Sequence, residues 1–168
     1  SVIIGNVLTT LSGFDFNGNK NLKSVIIGNS VTSIGGYEFD GCSGLTSIKI
    51  PDSVTGIGYS AFYGCTGLTS ATIGNSVTSI GARAFNNCSS LASIKIPDSV
   101  TGIGDYAFDG CTGLTKVNIT DISAWCNISF SNCYSNPLLY SHNLYINDKI
   151  INDEKVKKNI WKEIKNKN

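Results

Sequence analysis

The sequence predicts a repeat solenoid, mainly β, with short helical or 3₁₀ turns. Two observations indicate this fold class. Copies 45–67 and 91–113 agree at 19 of their 23 positions. Four cysteines recur every 23 residues, each three residues after a phenylalanine: Cys42, Cys65, Cys88 and Cys111. A constant period of this length is typical of stacked coils, so a residue that recurs in every copy is first a packing element.

The first half of each copy has the pattern Leu-x-x-Ile-x-Ile, which predicts a short strand. In the copy that begins at Leu45, we expect Ile48 and Ile50 to face the core. Successive side chains of a strand alternate between its two faces, so Ser47 and Lys49 should face outward. A Pro-Asp-Ser or Gly-Asn-Ser turn then ends the strand.

The second half of each copy predicts another short extended segment, then a corner and a turn. Val54 and Ile57 would face the same core, and Gly58 permits a sharp corner. The stretch 59–65 is too short for a long helix, so we expect one helical or 3₁₀ turn. That turn would direct Phe62 and the following cysteine inward.

No single copy can bury its own apolar residues, so the copies must stack. Equivalent strands would then hydrogen-bond to one another at a spacing of about 4.8 Å. Like side chains would form continuous columns through the core.

The chain changes character after the regular copies. We expect a solenoid over residues 1–147, with an irregular last repeat from about residue 119, and a helical cap or tail over 148–168. The segment 144–151 predicts a small hairpin. An amphipathic helix after the hairpin would cover the open end of the core, although it could instead bind a membrane or a partner. Its apolar residues are Val156, Ile160, Trp161 and Ile164.

Composition and charge exclude several classes of function. The chain is 41% hydrophobic and 15% charged, which suits a buried core rather than disorder. Residues 1–121 hold six basic and eight acidic side chains, so no basic stripe follows the repeats and nucleic acid is not an expected partner. No apolar run approaches the roughly 18 residues of a membrane span. The pattern starts in mid-repeat at Ser1, which leads us to expect a preceding segment.

The copy at 45–65 reads Leu-Thr-Ser-Ile-Lys-Ile-Pro-Asp-Ser-Val-Thr-Gly-Ile-Gly-Tyr-Ser-Ala-Phe-Tyr-Gly-Cys. This motif resembles the BspA-like, Treponema-type subclass of leucine-rich repeats. The resemblance covers about residues 2–119, and residues 119–147 resemble the longer repeats that interrupt such arrays. It implies a right-handed leucine-rich-repeat coil with a parallel β-sheet on its concave face. It also implies a secreted or surface protein of host-associated microbes that adheres to host proteins or to other cells, without catalytic residues.

The outward positions of the predicted strands form the candidate ligand-binding surface. They fall in two rows that begin at Ser24 and Ile26, and the first row is small and polar, which leaves room for a partner's backbone. Lys49 and Lys95 would lie roughly 10 Å apart and could pair with carboxylates of a partner. The alternative is that the rows are merely solvated β-surface, since Trp, Tyr and Arg are missing from them. The candidate residues are Ser47, Lys49, Ser70, Thr72, Ser93, Lys95, Lys116 and Asn118.

The cysteines and the histidine could suggest a metal site, a disulfide or a catalytic centre. We interpret the four periodic cysteines as buried thiols that act as small hydrophobes, because each would occupy a core position. Zinc is disfavoured, since the chain has one histidine and no Cys-x-x-Cys pair, and we expect no metal and no cofactor. Cys126 and Cys133 lie outside the period and could form a disulfide or remain thiols. His142 has no paired acid or nucleophile in a known motif, so we expect a structural role in the irregular segment.

Four tyrosines cluster near the predicted turns, with Arg83 nearby. They could form a second, aromatic edge, but we expect them mainly to cover the rim of the core, since tyrosine buries its ring and keeps its hydroxyl in water. They are Tyr37, Tyr59, Tyr63 and Tyr106.

These observations favour a non-enzymatic protein, secreted or at the cell surface, that binds a protein ligand through its concave face. The ligand would be an extracellular matrix or host surface protein, or a protein of a neighbouring cell. The alternative is a structural spacer within a larger surface protein. An enzyme is disfavoured because the acids lie in turns and because the glycines are periodic rather than part of a phosphate-binding loop.

Overall fold

The computed structural model describes residues 1–13 and 16–151, together with Lys158 and Lys162. Over these residues the chain winds into a β-solenoid in which each coil contributes one short strand to each of two sides. The strands of the first side are β1 (Val2–Ile4), β3 (Val25–Ile27), β5 (Ser47–Lys49), β7 (Ser70–Thr72), β9 (Ser93–Lys95), β11 (Lys116–Ile119), β13 (Leu144–Ile146) and β14 (Lys149–Ile150). Those of the second side are β2 (Thr10–Leu11), β4 (Ser33–Ile34), β6 (Gly56–Ile57), β8 (Ser79–Ile80), β10 (Gly102–Ile103) and β12 (Ser129–Phe130). The last coil also contains α1 (Ile122–Cys126), a 3₁₀ helix (Cys133–Ser135) and α2 (Leu138–Ser141).

The strands of the first side pair one full repeat apart. β5, β7, β9, β11 and β13 form a parallel sheet in that order. Ser47 stands opposite Ser70, and Ser70 opposite Ser93. β1 and β3 form a separate parallel pair, and one bridge, between Ser24 and Ser47, joins β3 to β5. The predicted stacking of equivalent strands is therefore confirmed.

The second side is also a parallel sheet, which explains the Val-Thr-x-Ile pattern. Val54 and Ile57 are buried, whereas Thr55 between them is exposed. The hydroxyl of Thr55 donates a hydrogen bond to the carbonyl of Thr32 in the preceding coil at 3.2 Å. The same bond recurs at Thr78 and in the next coil, so the exposed threonines link successive coils.

The third side is a chain of turns rather than the continuous helical turn that we expected. Within residues 59–65, some N–H groups donate three residues back, as in a 3₁₀ turn. That of Phe62 instead donates to the carbonyl of Ala84 in the next coil at 2.8 Å. Ser60 (φ 52°) and Gly64 (φ 64°) are left-handed. Because a helix needs an unbroken run of right-handed residues, these two positions prevent one from forming.

Gly58, at the corner before these turns, is required for close packing rather than for an unusual backbone angle. A Cβ atom placed there would lie 2.6 Å from the carbonyl carbon of Gly35 in the preceding coil. Gly81 meets Gly58 at the same distance. The corners of successive coils therefore stack backbone against backbone, which leaves no room for a side chain.

The core contains a column of stacked phenylalanine rings. Successive ring centroids lie 5.1 to 5.5 Å apart, with the planes tilted by 3 to 9°. The prediction that these rings point inward is confirmed, because the last four are fully buried. In the last coil, Trp125 and Phe130 are also buried and pack edge to face, with centroids 5.4 Å apart. The five rings of the column are Phe16, Phe39, Phe62, Phe85 and Phe108.

The last coil is longer than the regular ones. Val117 pairs with Leu144, and Gly102 pairs with Ser129, so both partners lie 27 residues apart instead of 23. Residues 117–129 are common to both intervals. The extra residues therefore lie there, where α1 replaces a simple turn.

The predicted hairpin is confirmed at the end of the array. β13 and β14 pair antiparallel, through a turn in which Asn147 (φ 48°) and Asp148 (φ 64°) are both left-handed. Two consecutive left-handed residues suit the twist of a tight hairpin. The amphipathic helix predicted beyond it, with Val156, Ile160, Trp161 and Ile164, lies outside the described residues.

Truncation of a ring in the middle of the phenylalanine column tests the core. Phe85→Ala removes a fully buried ring that has stacking partners on both sides, so we expect the free energy of unfolding to fall by about 3–5 kcal/mol. Thr66→Ala, at an exposed turn, should change it by less than about 0.5 kcal/mol. Urea unfolding followed by circular dichroism measures both. A Phe85→Ala effect no larger than that of the control would contradict the columnar core.

Candidate functional site

The outer face of the first-side sheet, here called the concave face, presents two straight rows of side chains. The residues between them, such as Ile48 and Ile94, are buried, so strand alternation directs their neighbours outward. The serine row consists of Ser24, Ser47, Ser70, Ser93 and Lys116. The lysine row contains Ile3, Ile26, Lys49, Thr72, Lys95, Asn118 and Tyr145.

The lysine row is longer than the sequence indicated. Ile3 stands opposite Ile26 at one end, and Tyr145 stands opposite Asn118 at the other. The 27-residue coil hides Tyr145 from a search at the regular period, although its strand has the expected alternation. Ile3 is 74% exposed and Ile26 60% exposed. The row is therefore apolar at its first end, cationic in the middle and aromatic at its last end.

Two adjoining depressions lie on the concave face. The larger, of about 750 Å³, has Ile26, Lys49 and Lys95 in its lining, together with the turn residue Asp52. The smaller, of about 310 Å³, lies toward Lys116. The two depressions share Thr72 and Lys95, and between them they include seven of the eight candidate residues, Ser47 being the exception.

Asp148 closes the last end of the concave face, a contact that the sequence did not reveal. Its carboxylate accepts hydrogen bonds from Nζ of Lys116 and Nδ2 of Asn118, each at 2.6 Å. These bonds lower the pKa of Asp148 below its usual value, with the bond from Lys116 as the largest cause. Nζ of Lys116 also lies 4.8 Å from the centre of the Tyr145 ring. Lys116 and Asn118 are therefore already engaged within the chain.

The four periodic cysteines are buried thiols, as predicted. Sγ of Cys88 donates a hydrogen bond to the carbonyl of Phe62 at 3.1 Å, and the other three make the same contact. Burial raises the pKa of Cys42 to about 11 and that of Cys111 to about 12. Since the thiolate is the reactive form, these cysteines are packing elements rather than nucleophiles.

The remaining cysteines and the histidine lie in the irregular coil. Cys126 and Cys133, between which the sequence left a disulfide open, are both thiols. His142 has a left-handed backbone (φ 52°) at the end of α2, and its N–H donates to the carbonyl of Leu138 at 3.2 Å. The expected structural role of His142 is therefore fulfilled by its backbone, as a helix cap.

The tyrosines form an exposed edge rather than a cover over the core. Nη1 of Arg83 donates to the hydroxyl of Tyr59 at 3.0 Å, and the guanidinium lies 5.9 Å from the Tyr106 ring centre. Tyr37 packs on Tyr59 at 5.2 Å, and Tyr106 stacks on Tyr134 at 5.5 Å. These four rings are 40 to 51% exposed. The second of the two alternatives drawn from the sequence, an aromatic edge, describes them better.

The described part of the chain was also searched for metal centres and membrane spans. Within residues 1–13 and 16–151, no three His, Cys, Asp or Glu side chains are placed to hold a metal ion. None of the helices described there is long and apolar enough to span a membrane.

Comparison with known families agrees with this architecture. The model for the BspA type leucine rich repeat region, in six copies, matches residues 9–136. The chain therefore belongs to the BspA-type leucine-rich repeat family, which confirms the resemblance seen in the sequence.

Solved structures support the same fold. A leucine-rich repeat protein of Treponema pallidum is 25% identical, with a TM-score of 0.69 over 83% of this chain and 66% of that one. One from Bacteroides ovatus is 29% identical, with a TM-score of 0.63 over 78% and 37%. A leucine rich cell surface protein of Faecalibacterium prausnitzii is 34% identical, with a TM-score of 0.48 over 59% and 32%. The chain thus spans about a third to two thirds of these proteins, and no curated protein matches it significantly.

The buried thiols predict a loss of stability in alkali. Unfolding allows Cys88 to ionise near the ordinary value of 9.0, whereas burial raises its pKa well above that value in the folded chain. Above pH 9 the folded state therefore binds more protons than the unfolded state. The free energy of unfolding should fall there by about 1.4 kcal/mol per pH unit for each such thiol.

Cys88→Ala isolates this effect. Urea unfolding between pH 8 and 10.5 should show a pH slope shallower by one thiol's contribution than that of the unchanged protein. Val77→Ala, which also truncates a fully buried side chain but removes no titratable group, should keep the original slope. The same slope in all three proteins would show that Cys88 ionises in the folded chain.

Proposed function

We propose that this chain is a non-enzymatic binding module that presents its concave face to a protein ligand. The family and the fold are generally non-enzymatic. The observation that carries the proposal is the variation within the lysine row. Its seven aligned positions hold six residue types, from isoleucine to lysine to tyrosine, whereas the core positions beside them are almost uniformly aliphatic.

That contrast separates packing from recognition. Core positions repeat because every coil meets the same neighbours, and an outward position that is not constrained in this way is open to selection for a ligand. The adjacent serine row favours contact, since small side chains let a partner approach the sheet. A spacer would need the regular core but has no requirement for a differentiated outer row.

The proposed location and partners follow from the family. Membership of the BspA-type family favours a surface or secreted protein, and we place the chain there. The proposed ligand is a protein of the host surface, of the extracellular matrix or of a neighbouring cell. In this proposal residues 1–147 form the binding solenoid and residues 148–168 its cap.

Acidic substitutions in the serine row test the proposal. The chain is first screened against extracellular matrix proteins and glycans at several salt concentrations. The triple variant Ser47→Glu, Ser70→Glu, Ser93→Glu should then bind any protein found at least about tenfold more weakly, a loss of about 1.4 kcal/mol. The reason is that three bulky charges occupy adjacent positions of one row.

The matched control places the same charges on another side of the same coils. Thr66→Glu, Ser89→Glu and Thr112→Glu alter exposed turns and should leave binding unchanged. Circular dichroism checks that both triple variants are folded. If the serine-row variant binds as well as the unchanged protein, the concave face is not the binding site and the spacer is favoured.

A further inference from the structure

We infer that the larger depression of the concave face receives an extended segment of a protein partner, in which an apolar side chain is followed by two acidic ones at alternate positions. The inference rests on the proposed function, because it names the kind of segment that the concave face would bind. Three residues of the lysine row define the site: Ile26, Lys49 and Lys95.

The spacing of these residues matches an extended chain. Successive positions of the row are one strand spacing apart, so Lys49 and Lys95 lie about 5 and about 14 Å from Ile26. In an extended segment, side chains on one face recur every 6.6 Å or so, at about 7 and about 13 Å from the first. The flexible four-carbon stem of lysine can absorb the remaining differences.

The chemistry of the row specifies the order of the side chains. Ile26 is 60% exposed and continues into Ile3, which is 74% exposed, so the first end offers an apolar contact. Lys49 and Lys95 follow in the same depression. Within the described residues the salt bridge to Asp148 belongs to Lys116, and neither Lys49 nor Lys95 is paired with an acid. Two carboxylates of a partner would complement them.

The acids around the depression disfavour a continuous polyanion. Asp52 lines its wall, with Oδ1 held by the N–H of Asn75 at 2.7 Å. Asp98 and Asp121 continue the same turn column and are exposed, and Asp148 lies at the far end, near Lys95. A nucleic acid or sulfated glycan would place negative charge against these groups. A peptide can place its two carboxylates at the lysines alone.

A pentapeptide probe tests the inference directly. Leu-Thr-Glu-Thr-Glu, blocked at both ends, has the inferred order, and its threonines favour an extended backbone. Titrated into the ¹⁵N-labelled protein, it should shift the amide signals of β3, β5, β7 and β9, while signals of the second-side sheet stay unchanged. The matched peptide Leu-Thr-Gln-Thr-Gln should bind at least tenfold more weakly. Equal binding of the two peptides would overturn the inference.

Charge-matched variants assign the contacts. Lys49→Gln with Lys95→Gln should weaken binding of the acidic peptide at least tenfold. Lys20→Gln with Lys23→Gln removes the same charge from two exposed lysines outside the depression and should not weaken it. Ile26→Ser should weaken both peptides by the same factor. Equal effects of the two lysine pairs, or tighter binding of a heparin oligosaccharide than of the peptide, would overturn the inference.

The outcomes distinguish this inference from the proposed function. If the peptide does not bind but the serine-row variant loses its protein ligand, the acidic segment is wrong and the concave site stands. If the peptide binds as described but the serine-row variant retains its protein ligand, the depression is assigned and the ligand of the proposed function binds elsewhere.

Discussion

Stacking of each coil on the one before it, in constant register, is the constraint on which the rest of the structure depends. A strand of three residues has too few hydrogen bonds to be stable alone, so every strand relies on its equivalents in neighbouring coils. A slip of one residue would turn every outward side chain inward. The longer last coil respects this constraint, because its four extra residues lie between strands and leave both sides in register.

The backbone hydrogen bonds between coils also explain residues that resemble functional groups in the sequence. The periodic cysteines each donate to a phenylalanine carbonyl of the preceding coil. Exposed threonines on the second side do the same from outside the core. Thiol and hydroxyl are thus used as short donors that satisfy carbonyl groups along the stack. Their recurrence is a consequence of packing and carries no information about a ligand.

Residues that packing does not require are concentrated on the concave face and at its last end. The lysine row changes from isoleucine to lysine to tyrosine while the core beneath it stays aliphatic. Asp148 engages Lys116 and Asn118, which leaves Lys49 and Lys95 as the cations available to a partner. The stack holds these groups at fixed spacing, so a ligand meets a surface that needs little ordering on binding.

The sequence by itself determined the solenoid, the 23-residue coil, the inward phenylalanines and cysteines, and the two outward rows. It could do so because alternation along a strand and repetition between coils are local patterns that can be counted in the chain. It could not reveal the turn geometry of the third side, since the left-handed backbone of Ser60 depends on hydrogen bonds to the next coil. Nor could it show that Gly58 is required by the close approach of Gly35.

Only the tertiary structure decided which outward residues meet. Tyr145 joins the lysine row because the last coil has 27 residues, and Asp148 reaches Lys116 because the hairpin turns back at that point. The tyrosines and Arg83 become one exposed edge only when five coils place them side by side. In each case the partners are far apart in the chain. Contacts of this kind depend on the path of the backbone between coils, which a periodic pattern does not specify.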